Sequence, residues 1–194
     1  MTKIAVIQGH PDPSGNRLCH ALADAYIEGA KAAQHDVEHV EIATLDFPLL
    51  RSQDEWQQGA EGTPEGLRAA QAACIDAGHI VLIYPLWLGT MPALLKGFLE
   101  QTFRPGVALS YGDGLPTALF KGKSARVVIT MGMPALAYRW YFFAHSLKSL
   151  ERNILGFVGI KPIRSTLFGS VEAVSQDARA KWLEKMRGLG WRAR

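Results

Sequence analysis

Apolar and polar positions alternate along this chain in blocks, and the blocks change period. Lys3-Ile4-Ala5-Val6-Ile7-Gln8 opens with a short apolar run of strand length. Over 15–34, Leu18, Leu22, Ala25, Tyr26 and Ala30 recur at helical spacing, which predicts a helix with one buried face. A strand over 36–42 follows. The stretch 43–64 mixes Asp, Pro, Gly, Gln and Trp without period and reads as a long loop. Pro64 is placed to start a helix that reaches about residue 77. Ile80-Val81-Leu82-Ile83-Tyr84 is apolar without a break, the pattern of a strand covered on both faces, and Pro85 ends it. The remaining elements are a helix from Met91-Pro92 to Thr102 and a glycine-rich segment over 104–119, with 107–111 as a short hairpin. A strand over 125–131, a long aromatic helix within 137–155, a strand over 161–168 and a helix over 175–189 complete the order.

Strands that alternate with helices predict one parallel sheet with helices on both faces. The fold class is therefore α/β, a three-layer sandwich in one domain spanning 1–194, with no internal repeat. Five strands with a loop of ligand character after the first match the flavodoxin-like strand order 2-1-3-4-5. In that order a ligand lies at the carboxyl ends of strands 1 and 3, so the loops at 9–16, 85–91 and 132–138 are expected to converge. Composition leaves this picture intact: 194 residues, 48% hydrophobic and 20% charged, are ordinary for one globular domain with a substantial core. The net charge of +3 suits an anionic ligand and, with no basic stripe, gives no footprint for nucleic acid. Cys19 and Cys74 lack metal-ligand spacing and read as small buried side chains in a reducing, cytoplasmic compartment. No signal peptide is expected before a strand that begins at Lys3. No apolar run reaches the roughly 18 residues of a membrane span, so no integral membrane segment is expected.

The three loops carry the candidate chemistry. Gly9-His10-Pro11-Asp12-Pro13-Ser14-Gly15-Asn16-Arg17 joins a strand to the positive end of a helix, where unpaired amides and the helix dipole favour phosphate. His10, Ser14 and Asn16 offer hydrogen-bond partners there. The loop has neither the G-x-G-x-x-G of a dinucleotide turn nor a P-loop; Gly122-Lys123-Ser124 lacks the upstream glycine and precedes a strand. An ordinary turn with Ser14 or Asn16 as helix N-cap remains the alternative. Pro85-Leu86-Trp87-Leu88-Gly89-Thr90-Met91-Pro92 would expose a Trp and two Leu at a sheet edge unless something flat and apolar covers them; the alternative packs Trp87 against the following helix. Thr130-Met131-Gly132-Met133-Pro134 leads to Tyr138 and His145, seven apart, so one helix would show both on one face, where phenol and imidazole can stabilise an anion and pass a proton. A structural Tyr and His beside the aromatic run 140–143 is the alternative. No G-x-S-x-G elbow and no H-E-x-x-H occurs.

Four blocks together resemble the flavodoxin-like NAD(P)H:quinone oxidoreductases, the family of mammalian DT-diaphorase, in a short form. They are Gly9-His10-Pro11 through Leu18; Pro85-Leu86 through Pro92-Ala93-Leu94-Leu95-Lys96-Gly97-Phe98; Thr130-Met131-Gly132 through His145; and Gly169 through Ala178-Arg179. The resemblance implies a flavin, FAD favoured over FMN, with NAD(P)H as electron donor and a quinone-like small molecule as acceptor. By it, His10, Ser14, Asn16 and Leu18 belong to the phosphate end. Pro85, Leu86, Trp87 and Leu88 frame the ring, Thr130, Gly132 and Tyr138 touch its other polar edge, and Arg179 lies near the adenosine side. Tyr138 and His145 correspond to the pair assigned to charge relay. It also implies a homodimer with the site at the interface. Azo- or nitroaromatic reduction by the same chemistry, or a flavin-binding ancillary subunit of a membrane transporter, are the other activities it allows. This chain departs from the mammalian pattern at Met133, in the Tyr-to-His spacing and at Leu88-Gly89-Thr90.

Overall fold

The computed structural model describes residues 1–112 and 114–194. Its centre is a parallel sheet of β1 (Lys3–Gln8), β2 (Asp36–Glu41), β3 (His79–Pro85), β6 (Ser124–Thr130) and β7 (Ile163–Phe168) in the order β2-β1-β3-β6-β7. Numbered by these five strands alone, that is the expected 2-1-3-4-5. The other two strands, β4 (Leu109–Ser110) and β5 (Thr117–Ala118), form a separate antiparallel ribbon. The hairpin expected within 107–111 thus closes farther along the chain, and residue 113 of the glycine-rich segment lies outside the described residues.

Why each strand sits where it does is plain from its residues. β3 is buried at all seven positions, as its unbroken apolar sequence requires in a central parallel strand. β2, Asp-Val-Glu-His-Val-Glu, is charged and largely exposed, which suits an edge strand and discourages pairing with another chain. Helices α1 (Leu18–Ala32) and α7 (Gln176–Trp191) cover one face over Ile4, Val6, Val81, Ile83, Val128 and Phe168. Helices α3 (Arg68–Asp76) and α4 (Ala93–Thr102) cover the other over Ala5, Ile7, Ile80, Leu82, Val127 and Ile129. Successive strand residues point to opposite faces, so the two sets interleave in sequence. Helices α1 and α7 cross in backbone contact at two glycines: a Cβ on Gly29 would stand 2.0 Å from the Arg187 carbonyl oxygen, and one on Gly190 2.0 Å from that of Tyr26.

Two segments differ from the expected elements. The long loop over 43–64 contains α2 (Gln53–Gln57) and two short 3-10 turns, tied down by Arg104, whose buried guanidinium donates to the Glu55 carbonyl and to Gln101 Oε1. The single aromatic helix within 137–155 is instead α5 (Ala135–Trp140), a turn, α6 (His145–Ser149) and a π-helical stretch Leu150–Leu155. Phe143 (φ +53°) and Ala144 (φ +48°) are left-handed at that turn, and no α-helix continues through two such residues. Among the described residues no helix is long and apolar enough to cross a membrane.

Candidate functional site

The carboxyl ends of β1, β3 and β6 bring the three loops together. The Gly9 amide donates to the Ile83 carbonyl at 2.7 Å, and the Leu86 amide to that of Thr130 at 2.8 Å. The rings of His10 and Trp87 meet edge-on with centroids 5.6 Å apart.

The first loop is organised by side chains that take amides two residues on. Gln8 Oε1 accepts from the His10 amide, His10 Nδ1 from the Asp12 amide, and Asp12 Oδ1 from the Ser14 amide, at 3.0, 3.1 and 3.0 Å. Such local bonds replace a helix and set the loop's path. Arg17 Nε donates to Asp12 Oδ2 at 2.8 Å. The bond from the Ser14 amide first, then that from Arg17, holds the Asp12 carboxyl well below the usual carboxylate range. Because Nδ1 accepts, the neutral His10 ring carries its proton on Nε2 and presents a donor. Burial, then the neighbouring His20, lowers its pKa.

Neither Ser14 nor Asn16 caps the helix. Ser14 Oγ donates to Asn16 Oδ1 at 3.1 Å, both residues are exposed at the rim, and the N-cap is Arg17, with no side-chain cap. Among the described residues the amides of Leu18 and Cys19 therefore have no acceptor, at the positive end of a 15-residue helix. An oxyanion fits this cradle. Behind it lie two polar atoms that sequence reasoning missed: Gln8 Nε2 and His20 Nδ1 are buried without a partner. The signal for His20 was a histidine in the first turns of an amphipathic helix; for Gln8 it was a polar residue closing an apolar strand.

The second loop is a two-residue turn. The Trp87 amide donates to the Thr90 carbonyl (2.9 Å) and the Thr90 amide to that of Trp87 (3.0 Å). Both central residues, Leu88 (φ +46°) and Gly89 (φ +80°), have positive φ, as in the type I′ turn. Trp87 is 49% and Leu88 104% exposed, so Trp87 is not packed into the core. Pro85 is buried as the last residue of β3, and Leu86 is half-buried. Beside them opens a cleft of about 430 Å³ lined by Trp87, Leu88, Met91, Pro92, Ser146 and Ser149.

At the third loop Thr130 is buried, its Oγ1 3.2 Å from Cys19 Sγ, while Gly132 is exposed with nothing within 4 Å of where a Cβ would stand. Burial raises the Cys19 thiol to about 12, so it stays protonated. Tyr138 and His145 are not on one helix face, because the left-handed turn separates α5 from α6. Tyr138 is buried; its hydroxyl bonds Ser146 Oγ at 2.7 Å and accepts from the Leu147 amide at 3.1 Å. His145 is exposed beside the ring of Phe143. Arg179 is exposed on α7, with Nη2 donating to the Val171 carbonyl at 2.9 Å. Val171 in turn donates to Met131, so Arg179 braces the third loop from outside. Among the described residues there is no metal-ligand cluster. The site thus joins an anion cradle to an open apolar shelf.

The family described as flavodoxin-like fold matches residues 2–189. An uncharacterized NAD(P)H oxidoreductase of Haemophilus influenzae is 26% identical over 181 residues, 92% of this chain and 89% of that protein. An FMN-dependent NADH:quinone oxidoreductase of Listeria innocua is 27% identical over 188 residues, 89% of each chain. The solved structure of an NAD(P)H:quinone oxidoreductase from Methanothermobacter marburgensis superposes with TM-score 0.81 at 22% identity, covering 100% of this chain and 99% of that one.

Proposed function

From the premise that this chain belongs to the family described as flavodoxin-like fold, we infer that it is a flavin-dependent NAD(P)H oxidoreductase acting on quinones or related acceptors such as azo- and nitroaromatics. The observation that carries the reading is the pairing of an uncapped α1 terminus with the exposed Trp87–Leu88 shelf. A phosphorylated ligand with a flat ring satisfies both at once. The flavin, when bound, supplies two-electron hydride exchange between the nicotinamide and the acceptor.

The chain's own residues bind and orient. The amides of Leu18 and Cys19 take the phosphate, with His10 Nε2, Ser14 and Asn16 around it. Pro85, Leu86, Trp87 and Leu88 support the ring, and Thr130 and Gly132 border it. FMN is favoured: the Listeria relative is FMN-dependent by name, and Arg179, expected on the adenosine side of FAD, uses its guanidinium on Val171. FMN thus replaces the FAD that the resemblance favours. We assign to His145 the delivery of a proton to the reduced acceptor, and to Tyr138 the positioning of α6 through Ser146 and Leu147. Leu136, Trp140, Tyr141, Phe142 and Phe143 are exposed together beside the cleft, an apolar patch that a second copy of the chain would cover. Cys19 and Cys74 are free thiols, which fits a reducing cytoplasm.

The test is the purified protein's colour and its contents. Extracted FMN by mass, bleached by NADH or NADPH and restored by a quinone with no other protein present, is expected. A colourless protein that takes up no added flavin overturns the reading, and sedimentation as a monomer overturns the dimer.

A further inference from the structure

The floor beneath the α1 cradle is polar and closed. Gln8 ends β1 on the side of Ile4 and Val6, the face that α1 covers. Its Oε1 accepts from the His10 amide at 3.0 Å, so Nε2 is the end left over, buried and without a partner among the described residues. His20 stands in the first turn of α1, 7% exposed, with its ring centroid 5.6 Å from that of His10. Its Nδ1 is likewise buried and unpartnered. The two imidazoles differ in what they can accept. His10 Nδ1 is taken by the Asp12 amide at 3.1 Å, and a proton there would break a bond that shapes the loop. A proton on His20 Nδ1 breaks nothing.

A phosphate monoester brings about −1.5 to −2 charges at pH 7. The positive end of α1 offers roughly half a charge against it. Arg17 is the cation of the loop, but its Nε and Nη2 hold Asp12 Oδ2 at 2.8 and 2.7 Å, so the two add no net charge. On β2, which borders Gln8 through Glu41, His39 Nδ1 lies 3.4 Å from Glu41 Oε1. Asp24, one turn beyond His20 on α1, is an acid and favours a cation at His20. The early turns of α7 carry Asp177, Arg179 and Lys181, all exposed, and Arg179 donates to the Val171 carbonyl. Farther along, Arg187 holds Glu28 and Glu184. The ends of β3 and β6 bring Trp87 and Thr130, which are neutral. Against a bound phosphate, roughly one negative charge is left without a fixed cation.

Resting on the reading of the α1 terminus as a phosphate cradle, we propose that His20 takes up a proton from solvent when a phosphate monoester binds, and so supplies the missing cation from beneath. The only bond formed is N–H at Nδ1. Gln8 Nε2 adds a neutral donor to the same floor. Closed in from water, the imidazolium and the dianion stabilise each other more than they would at an exposed rim. Because the bound state holds one more proton than the free state, affinity falls as pH rises. The same device selects a phosphorylated flavin over riboflavin, which has no charge to draw the proton in.

Calorimetry of the full chain with FMN, in two buffers of unlike ionisation enthalpy, counts the protons. Between about pH 7 and 8 the expected uptake is close to one proton per FMN, with Kd rising by up to about tenfold per pH unit, and riboflavin should show neither. His20→Gln should abolish the uptake and flatten the pH dependence, whereas His10→Ala should weaken binding and keep the uptake. In the unmutated protein with FMN bound, nitrogen NMR should show both ring nitrogens of His20 protonated, and phosphorus NMR a dianionic phosphate. FMN bound without proton uptake, uptake undiminished in His20→Gln, or the proton found on the phosphate each overturns the proposal and leaves the flavin reading standing. Methyl phosphate separates the two the other way. Its binding with proton uptake, where FMN does not bind, supports the role of His20 and ends the flavin reading; binding of neither ends both.

Discussion

The two edges of the sheet both leave polar groups unpaired, and they do so in opposite ways. At the carboxyl edge they are backbone amides at the start of α1, which face the open loop, with Gln8 Nε2 and His20 Nδ1 buried behind them. At the amino edge they are side-chain atoms of Arg126, His79 and Tyr26 shut away from solvent. The first arrangement is an open site. The second holds charge and unpaired donors inside the fold, so it contributes to how stability responds to conditions. Unsatisfied polarity alone does not mark a catalytic centre; its accessibility decides which role it takes.

Acid is the strongest way to separate the edges. Burial first, then the nearby arginines, lowers His79 to about 4, from a usual value of 6.5. The native state therefore keeps it neutral while the unfolded chain takes up a proton below 6.5. Between those values the unfolded state binds more protons, so stability falls as pH falls. The loss by pH 4 is on the order of 3 kcal/mol. Urea unfolding at pH 7, 5.5 and 4 measures it, and His79→Gln should flatten the slope. An unchanged slope would mean that the amino edge is not the acid-sensitive one.

At the carboxyl edge Tyr138→Phe leaves the Leu147 amide and Ser146 without their phenol partner and is expected to cost about 2 kcal/mol. Hydrogen exchange should place the loss in α6, with the amides of β3 unaffected. Loss spread evenly over the sheet would contradict a positioning role. His10→Ala is expected to weaken flavin by about tenfold, one hydrogen bond to a charged phosphate, with little effect on the apoprotein. Fluorescence titration reads that change, and an unaltered Kd would remove His10 from the cradle. Smallest is Leu88→Gly, which relieves a left-handed leucine in the exposed turn. A stabilisation of up to about 1 kcal/mol is expected, with weaker ring support as the cost in function.

The sequence made some of this legible for specific reasons. The β3 run had to be central because an unbroken apolar strand needs cover on both faces. The phosphate loop was visible because Gly9-His10-Pro11 interrupts a strand-to-helix step. The broken aromatic helix was not: residues 140–143 keep a helical apolar content, and only the local path through Phe143 and Ala144 shows the break. Tyr138 and His145 looked paired by spacing, but that spacing assumes a continuous helix. Arg126 has no sequence signal of what it faces, and the positions of His20 in the first turns of a helix and Gln8 at the close of a strand place them at the site without showing that their polar atoms end unpaired.

What the sequence determined by itself is therefore the order of elements, the sheet's centre and edge, and the three loops expected to meet, all carried by local period and turn residues. What only the tertiary structure decided is which polar groups end without partners. That Arg17 rather than Ser14 or Asn16 stands at the start of α1, that Tyr138 turns to Ser146, and that among the described residues no carboxylate pairs with Arg126 depend on how distant parts of the chain come together. Periodicity records which face a residue takes; it carries no information about what waits on the other side.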